Sequence, residues 1–313
     1  MIYTVTLNPA IDKTVEIPGF AAGKVNRVAS VREDAGGKGI NVSKCLRALG
    51  LESVAAVTLA GDGGDRLEVL LQQEKMNILG AELPEGETRT NLKVVDPESG
   101  ENTDINEPGP EVKQSALRQF LIRLCQRIRS GDIVVLSGSL PKGAPADTYK
   151  VWTERFRELG AKVFLDADGK CLAEGVKGKP DFIKPNEAEL ARLMGRTFET
   201  EGQIIAAGRE LLAGGIENVV ISMGGEGALF LWKEGFYRAK SLSVPVRSTV
   251  GAGDSVVAAM VYGMEKGLSM EEKIDLAMAM GGASVMQTGT QAPDAKTVWD
   301  LAKQVEFEKL KKE

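Results

Sequence analysis

The chain has 313 residues, of which 43% are hydrophobic, so it is long enough to bury a large core as one extended α/β domain or as one domain with an appendage. Its 39 Lys and Arg residues against 44 Asp and Glu residues give a formal charge of −5 without a long block of like charge, which argues against binding to nucleic acid or to a membrane surface. The absence of histidine excludes a Ser-His-Asp triad, a Cys-His pair and a His-ligated zinc, so a general base must be a carboxylate, Lys, Tyr or Cys.

Three cysteines, Cys45, Cys125 and Cys171, lie far apart without metal-binding spacing, and the first ten residues follow a strand pattern rather than that of a signal peptide. No apolar run approaches the roughly 18 residues of a membrane span. We therefore expect a cytoplasmic protein with reduced thiols.

The first third of the chain mixes a buried βα unit with exposed strands. Residues 2–7 predict a buried strand that Asn8 and Pro9 break, with Asp12 in the following loop. Alternation of polar and apolar residues predicts exposed strands at residues 14–17, 27–33, 88–95 and 101–106. We group them into a small β-sheet lid of residues 11–34 and 88–106, on an α/β domain of residues 1–10, 35–87 and 107–313.

From about residue 110 onward, strand and helix periods alternate regularly. The pattern predicts strands at 133–136, 163–166, 182–184 and 219–222, with helices between them and a hairpin at 228–240. Such alternation is typical of an α/β fold with a central, mostly parallel sheet and helices on both faces. Ligands bind such sheets beyond the carboxyl ends of the strands, where Ser137, Asp166, Lys184 and Ser222 are expected.

The stretch Gly251-Ala252-Gly253-Asp254 opens a predicted helix that closes at Gly267. Small residues at a helix start let a ligand approach unpaired N–H groups at the positive end of the helix dipole, so these residues predict an anion site. Asp254 is the candidate base, and we expect the helix start to keep it ionised, with a low pKa. The alternative is a tight turn in which Asp254 only stabilises the helix. Phosphoryl transfer is the working hypothesis.

Three other segments carry polar candidates, each with a plain structural alternative. Residues 36–41 form a second glycine-rich loop that feeds a helix. Asn186 and Glu189 have capping-box spacing, which is the simpler interpretation, but both could also hold a hydrated Mg²⁺ through oxygen atoms. The glycines of residues 222–227 could serve a hairpin only. A P-loop is excluded because no Gly-Lys pair is followed by Ser or Thr.

Together these segments resemble the ribokinase-like sugar kinases of the phosphofructokinase B branch. The resemblance covers essentially the whole chain and rests on GGKGIN (36–41), SGSLP (137–141), KPNEAE (184–189), SMGGEG (222–227) and STVGAGDS (248–255), in that order. The segments TLNPAIDKTVEI (6–17), VNR (25–27), TRTNLK (88–93) and TDINEPGP (103–110) are most similar to the members that phosphorylate fructose 1-phosphate.

The resemblance implies an ATP- and Mg²⁺-dependent kinase with a lid that closes over the sugar, often a dimer made through the lids. By matching positions, Asp254 is the base and the Gly251, Ala252 and Gly253 amides form the anion hole. The implied substrate-binding residues are Asp12, Gly37, Lys38 and Asn41 for sugar hydroxyls, Arg89 with Lys24, Arg27 or Lys93 for the sugar phosphate, and Ser137. The implied nucleotide-site residues are Lys184, Asn186, Ser222, Gly224, Gly227, Ser248 and Thr249, with Asn186 and Glu189 serving Mg²⁺. Many relatives have Asp-Thr ahead of the glycines, which Ser248-Thr249-Val250 does not match.

Two alternatives stay open at the level of sequence. The acceptor could be tagatose 6-phosphate or fructose 6-phosphate on the same scaffold. A catalytically silent sugar-phosphate sensor is the other alternative, although an intact Gly-Ala-Gly-Asp stretch argues against it.

Overall fold

The computed structural model describes residues 1–311 and contains two β-sheets flanked by helices. Numbered along the chain, the strands are β1 (Ile2–Thr6), β2 (Ala10–Glu16), β3 (Ser30–Gly36), β4 (Val54–Ala60), β5 (Asn77–Leu83), β6 (Arg89–Val95), β7 (Asn102–Asn106), β8 (Ile133–Ser137), β9 (Lys162–Asp166), β10 (Phe182–Ile183), β11 (Asn218–Ser222), β12 (Ala228–Trp232), β13 (Phe236–Ala239) and β14 (Phe307–Leu310). The helices are α1 (Lys38–Ala48), α2 (Gly61–Gln73), α3 (Gln114–Arg127), α4 (Thr148–Glu158), α5 (Gly169–Gly175), α6 (Glu187–Met194), α7 (Glu201–Ala213), α8 (Ala252–Glu265), α9 (Met270–Val285) and α10 (Ala295–Ala302).

The large sheet has the strand order β14-β13-β12-β11-β10-β9-β8-β1-β4-β5. Neighbouring strands from β11 to β5 are parallel, and β12, β13 and β14 add an antiparallel edge. Parallel neighbours bring the carboxyl ends of their strands to one edge, which is where polar residues following the strands can converge.

The core lies on both faces of this sheet. Along β8, Val134 and Leu136 pack with helices α3 to α7, whereas Ile133 and Val135 pack with α1, α8, α9 and α10. Successive residues of a strand point to opposite faces, so a strand covered on both sides must be apolar throughout, as β8 is. Helices α1 and α8 therefore share one face, and their amino-terminal ends meet beyond the carboxyl edge of the sheet.

The small sheet has the order β3-β2-β6-β7 and two chemically different faces. Cross-strand partners point to the same face, so the register puts Asp12, Asp34, Asn91 and Asn106 together on a polar face. The same register puts the alternate residues, Val15, Val31, Leu92, Val94 and Ile105, on the opposite, apolar face.

The predicted fold class is confirmed: a mostly parallel sheet with helices on both faces, and a small separate sheet. Two strands were not predicted, β5 and β14. Gly80 and Glu82 interrupt the apolar pattern of β5. The strand β14 is only four residues long and forms by pairing with the edge of β13, which its own sequence does not indicate.

Two elements differ in their bounds from the predicted ones. Asp12 lies inside β2 rather than in a loop, because β2 starts at Ala10 and pairs on both sides. The strand predicted from Arg27 begins only at Ser30, so Arg27 lies in the connecting loop. None of the helices within residues 1–311 is both long and apolar enough to cross a membrane.

Candidate active site

A cleft of about 740 Å³ lies between the carboxyl edge of the large sheet and the polar face of the small sheet. Sites for small molecules and cofactors usually have volumes of this order. The small sheet contributes Asp12, Thr14, Asp34, Arg89, Asn91, Lys93, Asp104 and Asn106 to its wall. The large domain contributes the starts of α1 and α8 and the loops that follow β10 and β11.

Helix α8 starts at the cleft with an unpaired turn of backbone. Gly251 precedes the helix with φ of 84°, in the left-handed region that favours glycine. The first helical hydrogen bond runs from the Ser255 N–H to the Gly251 carbonyl at 2.9 Å. Of the amides predicted to form the anion hole, the Ala252 N–H donates instead to the Thr249 carbonyl at 3.4 Å. The N–H groups of Gly253 and Asp254 come before the first helical bond and are free to meet an anion at the positive end of the helix.

Lys184 adds a positive charge at the same helix start. A β-carbon placed on Gly253 would lie 2.8 Å from Lys184 Nζ, so the ammonium group lies directly against the start of α8. Lys184 follows β10 and is buried. An anion at the start of α8 would therefore meet both backbone N–H groups and a lysine.

Asp254 is 5% exposed and lies in the first turn of α8. Asn41 Nδ2, from α1, donates a hydrogen bond of 2.8 Å to Asp254 Oδ2 and thereby fixes the carboxyl group. Burial raises the pKa of Asp254 to about 7, while Lys38, Asn41 and Lys184 work in the opposite direction. The expectation of a low pKa is wrong, because loss of water outweighs the helix start, and Asp254 is a stronger base than expected.

A chain of charges lies beside Asp254, with Asp166 and Lys184 buried and Lys38 partly exposed. Asp166, at the end of β9, is 3.3 Å from Lys38 Nζ and 3.7 Å from Lys184 Nζ. Burial acts to raise the pKa of Asp166, but the two lysines outweigh it and hold that pKa below its ordinary value. Burial acts against the charge of Lys38, yet Asp166 and Asp254 hold its pKa above the ordinary value. Lys38 thus stays cationic between the two carboxyl groups.

The small sheet offers polar groups at the other end of the cleft. Asn91 Nδ2 donates to Asp12 Oδ1 at 3.0 Å, and Thr290 from the loop after α9 is 3.5 Å from Asp12 Oδ2. Burial raises the pKa of Asp12 from its ordinary value. Within residues 1–311, Asn41 Oδ1, Asn91 Oδ1 and Arg89 Nε are buried without a hydrogen-bond partner. Buried polar atoms are rarely left unpaired, so these three call for a polar ligand.

Two cations of β6 face the cleft, Arg89 and Lys93. Each lies two positions from Asn91, on either side of it in the strand. Lys93 Nζ is 3.6 Å from Asp104 Oδ1 of β7. The Arg89 guanidinium donates to the main-chain carbonyls of Glu107 and Asn8, at 3.0 and 3.1 Å. This end of the cleft therefore suits a ligand that carries both hydroxyl groups and a negative charge.

The opposite end combines polar loops with an apolar wall. Its polar part contains predicted nucleotide-site residues, namely Lys184, Asn186, Ser222, Gly224, Gly227 and Thr249. Its apolar part contains Leu242, Val244, Val246, Val250, Met278 and Val285. A flat aromatic base against the apolar wall and a phosphate chain along the glycines would match this division.

Asn186 and Glu189 form the predicted capping box of α6. The Glu189 N–H donates to Asn186 Oδ1 at 2.8 Å, and the Asn186 N–H donates to Glu189 Oε2 at 2.9 Å. Both residues also line the cleft, and Glu189 Oε1 lies outside the capping box. Within residues 1–311, no group of three or more Asp, Glu, Cys or His side chains could enclose a metal. A hydrated Mg²⁺ shared with phosphates fits this donor set, since such ions keep several waters.

The cleft brings together most of the predicted site residues but not all of them. Lys24 and Arg27 lie on the exposed loop between β2 and β3 and do not line it. Ser137 and Ser248 are buried beneath the surface; Ser248 Oγ accepts a hydrogen bond of 3.3 Å from the Val250 N–H. Ser248 therefore supports the turn before α8.

Several cleft residues were not predicted, and some could have been. Asn91 stands between Arg89 and Lys93 at a spacing of two, so strand alternation alone puts it on the same face. Asp166 was noted at a strand end without a role. Thr290 had no local signal, because only the packing of the loop after α9 brings it to Asp12.

The arrangement suits transfer of a negatively charged group to a hydroxyl. A carboxylate with a pKa near 7 can accept the hydroxyl proton, and the helix start with its lysines can stabilise charge on the transferred group. Asp254 and Lys184 are buried from water, which strengthens their electrostatic contacts.

Comparison with known proteins agrees with this chemistry. The model of the pfkB family of carbohydrate kinases matches residues 4–297. The chain is 36% identical to 1-phosphofructokinase of Bacillus subtilis over 93% of this chain and 95% of that protein, and 41% identical to 1-phosphofructokinase of Xanthomonas campestris over 82% of each. Among solved structures, phosphofructokinase-2 of Escherichia coli in complex with substrates and products superposes with a TM-score of 0.92, at 30% identity, over 97% of this chain and 98% of that one. The chain therefore belongs to the pfkB family of carbohydrate kinases and is a phosphotransferase.

Proposed function

We propose that the protein transfers the γ-phosphoryl group of ATP to the C6 hydroxyl of fructose 1-phosphate, giving fructose 1,6-bisphosphate and ADP. The observation that carries the proposal is the single cleft that joins a buried carboxylate, Asp254, at a helix start to the cations Arg89 and Lys93 of the small sheet. A sugar phosphate can span these two ends, with its anionic group at the sheet and its free primary hydroxyl at Asp254. The names of the related proteins support the choice of sugar.

In this mechanism Asp254 receives the proton of the C6 hydroxyl as its oxygen attacks the γ-phosphorus. The bond from that phosphorus to the β,γ-bridging oxygen breaks, and ADP leaves with the bond electrons. Phosphoryl transfer passes through a loose transition state, so positioning and charge stabilisation contribute most of the rate. The α8 N–H groups, Lys184 and Lys38 supply that stabilisation, and Asn41 holds the carboxylate in place.

Mg²⁺ would be held by Glu189 and Asn186 through water, together with the nucleotide phosphates, and would neutralise their charge. Asn91 and Asn41 orient the sugar hydroxyls through their unpaired amide oxygens, and the Asp12 carboxylate accepts hydrogen bonds from those hydroxyls. The sheet β3-β2-β6-β7 acts as a lid that covers the sugar. Lys24 and Arg27 reach the sugar phosphate only if their loop moves or if they enter from a second subunit.

The substrate assignment is tested by measuring kcat/KM for fructose 1-phosphate, tagatose 6-phosphate and fructose 6-phosphate at saturating ATP and Mg²⁺. We expect fructose 1-phosphate to be preferred by at least about a hundredfold, since a phosphoryl group at C6 instead of C1 would lose its contacts with Arg89 and Lys93. A preference for either 6-phosphate would contradict the assignment. If none of the three sugar phosphates supports ATP consumption, the kinase proposal is rejected in favour of the sensor hypothesis.

The apolar outer face of the small sheet supports a homodimer made through the lids. Val31 and Ile105 are 56% and 52% exposed there, and Val25 and Val28 extend the patch along the loop after β2. A second copy of the chain can cover this surface. Val31→Glu with Ile105→Glu should convert the dimer to a monomer in analytical ultracentrifugation, whereas a monomeric wild type at micromolar concentration would reject the dimer.

We also place the enzyme in the cytoplasm, which the three free cysteines support.

A further inference from the structure

The segment of residues 106–110, Asn-Glu-Pro-Gly-Pro, leaves the small sheet and lies directly against Arg89. Arg89 Nη1 donates to the Glu107 carbonyl at 3.0 Å, and Arg89 Nη2 donates to the Asn8 carbonyl at 3.1 Å. Two of the five N–H donors of the guanidinium are therefore committed to fixed main-chain oxygens. The mechanism above gives no role to Asn8 or Glu107.

Glu107 is held to the strand that carries Arg89. Its carboxylate oxygen Oε2 accepts a hydrogen bond of 2.9 Å from the Thr90 N–H, the residue directly after Arg89. The side chain is exposed, so it does not build the core. Its carboxylate pins the segment to β6 and thereby fixes the Glu107 carbonyl that Arg89 uses.

Asn8 fixes the other carbonyl. It is 5% exposed, and Nδ2 donates to the Pro108 carbonyl at 3.2 Å and to Ser139 Oγ at 3.1 Å. Asn8 thus joins the end of β1 to the loop after β8 and to the 106–110 segment.

The 106–110 segment packs closely against the side chains of Asn8 and Arg89. Gly109 has φ of 83°, and a β-carbon on it would lie 2.2 Å from Asn8 Oδ1 and 3.3 Å from Arg89 Cδ. Glycine at this position allows the backbone to lie against both side chains. The segment therefore lies beside the Arg89 side chain at Gly109 as well as bonding to it through the Glu107 carbonyl.

We propose that Glu107 and Asn8 are positioning residues which hold the Arg89 guanidinium for the phosphoryl group of the sugar substrate. The inference rests on the proposed function, because it needs Arg89 to contact that group. An arginine side chain has many rotamers, and ordering it at the moment of binding weakens affinity. The two fixed carbonyls order it beforehand, and Nε, buried and without a partner within residues 1–311, remains for the ligand.

The test is a double-mutant cycle between Glu107→Ala and Arg89→Ala, with KM measured separately for fructose 1-phosphate and ATP. We expect Glu107→Ala to raise KM for fructose 1-phosphate about tenfold and to leave KM for ATP and kcat within about twofold. In the Arg89→Ala background the same change should have an effect below about twofold, since the residue it acts through is absent. Glu107→Gln should restore most of the affinity, because its amide oxygen still accepts the Thr90 N–H.

Glu111→Ala is the matched control. Glu111 lies four residues further on, is exposed and pairs with Lys142 at 3.1 Å, away from the cleft. Its removal should leave both KM values unchanged. A second double-mutant cycle, between Asn8→Ala and Arg89→Ala, tests in the same way whether the Asn8 side chain positions Arg89.

The outcomes separate the two levels of the proposal. If Arg89→Ala raises KM for the sugar phosphate but Glu107→Ala does not, or if the two effects simply add, the positioning role is rejected and the phosphate contact stands. An unchanged sugar KM in Arg89→Ala overturns the phosphate contact and the positioning role together. Glu107→Gln behaving like Glu107→Ala would also reject the role of the Thr90 hydrogen bond.

Discussion

The two walls of the cleft are built differently. The floor, at the starts of α1 and α8, is buried: Asp254 is fixed by Asn41 from the neighbouring helix and by the helix it begins. The lid wall is a four-stranded sheet whose ligand-facing residues are only partly buried and whose key cation, Arg89, depends on contacts with loop carbonyls. In the proposed function the floor performs the chemistry and the small sheet provides recognition, so changes to each should alter different kinetic constants.

The largest effect is expected from the floor. Asp254→Asn removes the base but keeps the shape of the side chain, so kcat should fall by about 10³-fold while KM for both substrates stays within about threefold. Coupled measurement of ADP release gives the rate, and circular dichroism checks the fold. Asp300→Asn, on the surface beside Lys303, serves as the control. Near-normal turnover of Asp254→Asn would reject Asp254 as the base, and with it the division of the cleft into a catalytic floor and a recognition wall.

The lid should show the opposite signature. Arg89→Ala is expected to raise KM for fructose 1-phosphate by about 10- to 50-fold, since a charge-assisted contact to phosphate is lost, with kcat and KM for ATP changed by less than about threefold. Arg66→Ala removes a guanidinium that pairs with Glu33 on the surface and should have no kinetic effect. A loss of kcat in Arg89→Ala equal to that in Asp254→Asn would show that the two walls are not separate.

The pH dependence should report the floor alone. Because Asp254 has a pKa of about 7 and must be ionised to accept a proton, kcat/KM should fall about tenfold per pH unit below that value. The profile is measured from pH 5 to 9 with fixed free Mg²⁺. Arg89→Ala should keep the same profile at a lower level, and a flat profile between pH 5 and 7 would contradict the raised pKa.

The smallest effect concerns stability. The pKa of Asp254 is higher in the folded than in the unfolded protein, so its ionisation destabilises the fold as pH rises from about 4 through 7. Asp254→Asn removes that cost and should raise Tm by about 2–4 °C at pH 8, with a gain that shrinks as pH falls towards 4. Thermal scans at both pH values check this. An equal gain at pH 4 and pH 8 would mean that Asn packs better for reasons other than charge.

The floor could be predicted from sequence better than the lid. The stretch Gly251 to Asp254 contains its own structural reason: small residues at a helix start, followed by a carboxylate. The capping box of Asn186 and Glu189 was equally local and is present. In the lid, Asp12 was expected in a loop and Arg27 in a strand, because a short, polar and partly exposed strand has a weak periodic signal.

The sequence by itself determined the features that depend on residues close together in the chain. These include the α/β alternation, the helix starts, the exclusion of histidine chemistry and the candidate base, since each follows from local backbone preference or from residue type. Tertiary structure alone decided the pKa of Asp254, the ion pairs of Asp166 and the contacts of Arg89 with Asn8 and Glu107. Burial and long-range contact set these properties, and the partner of Asp254 that fixes it, Asn41, lies 213 positions away in the chain.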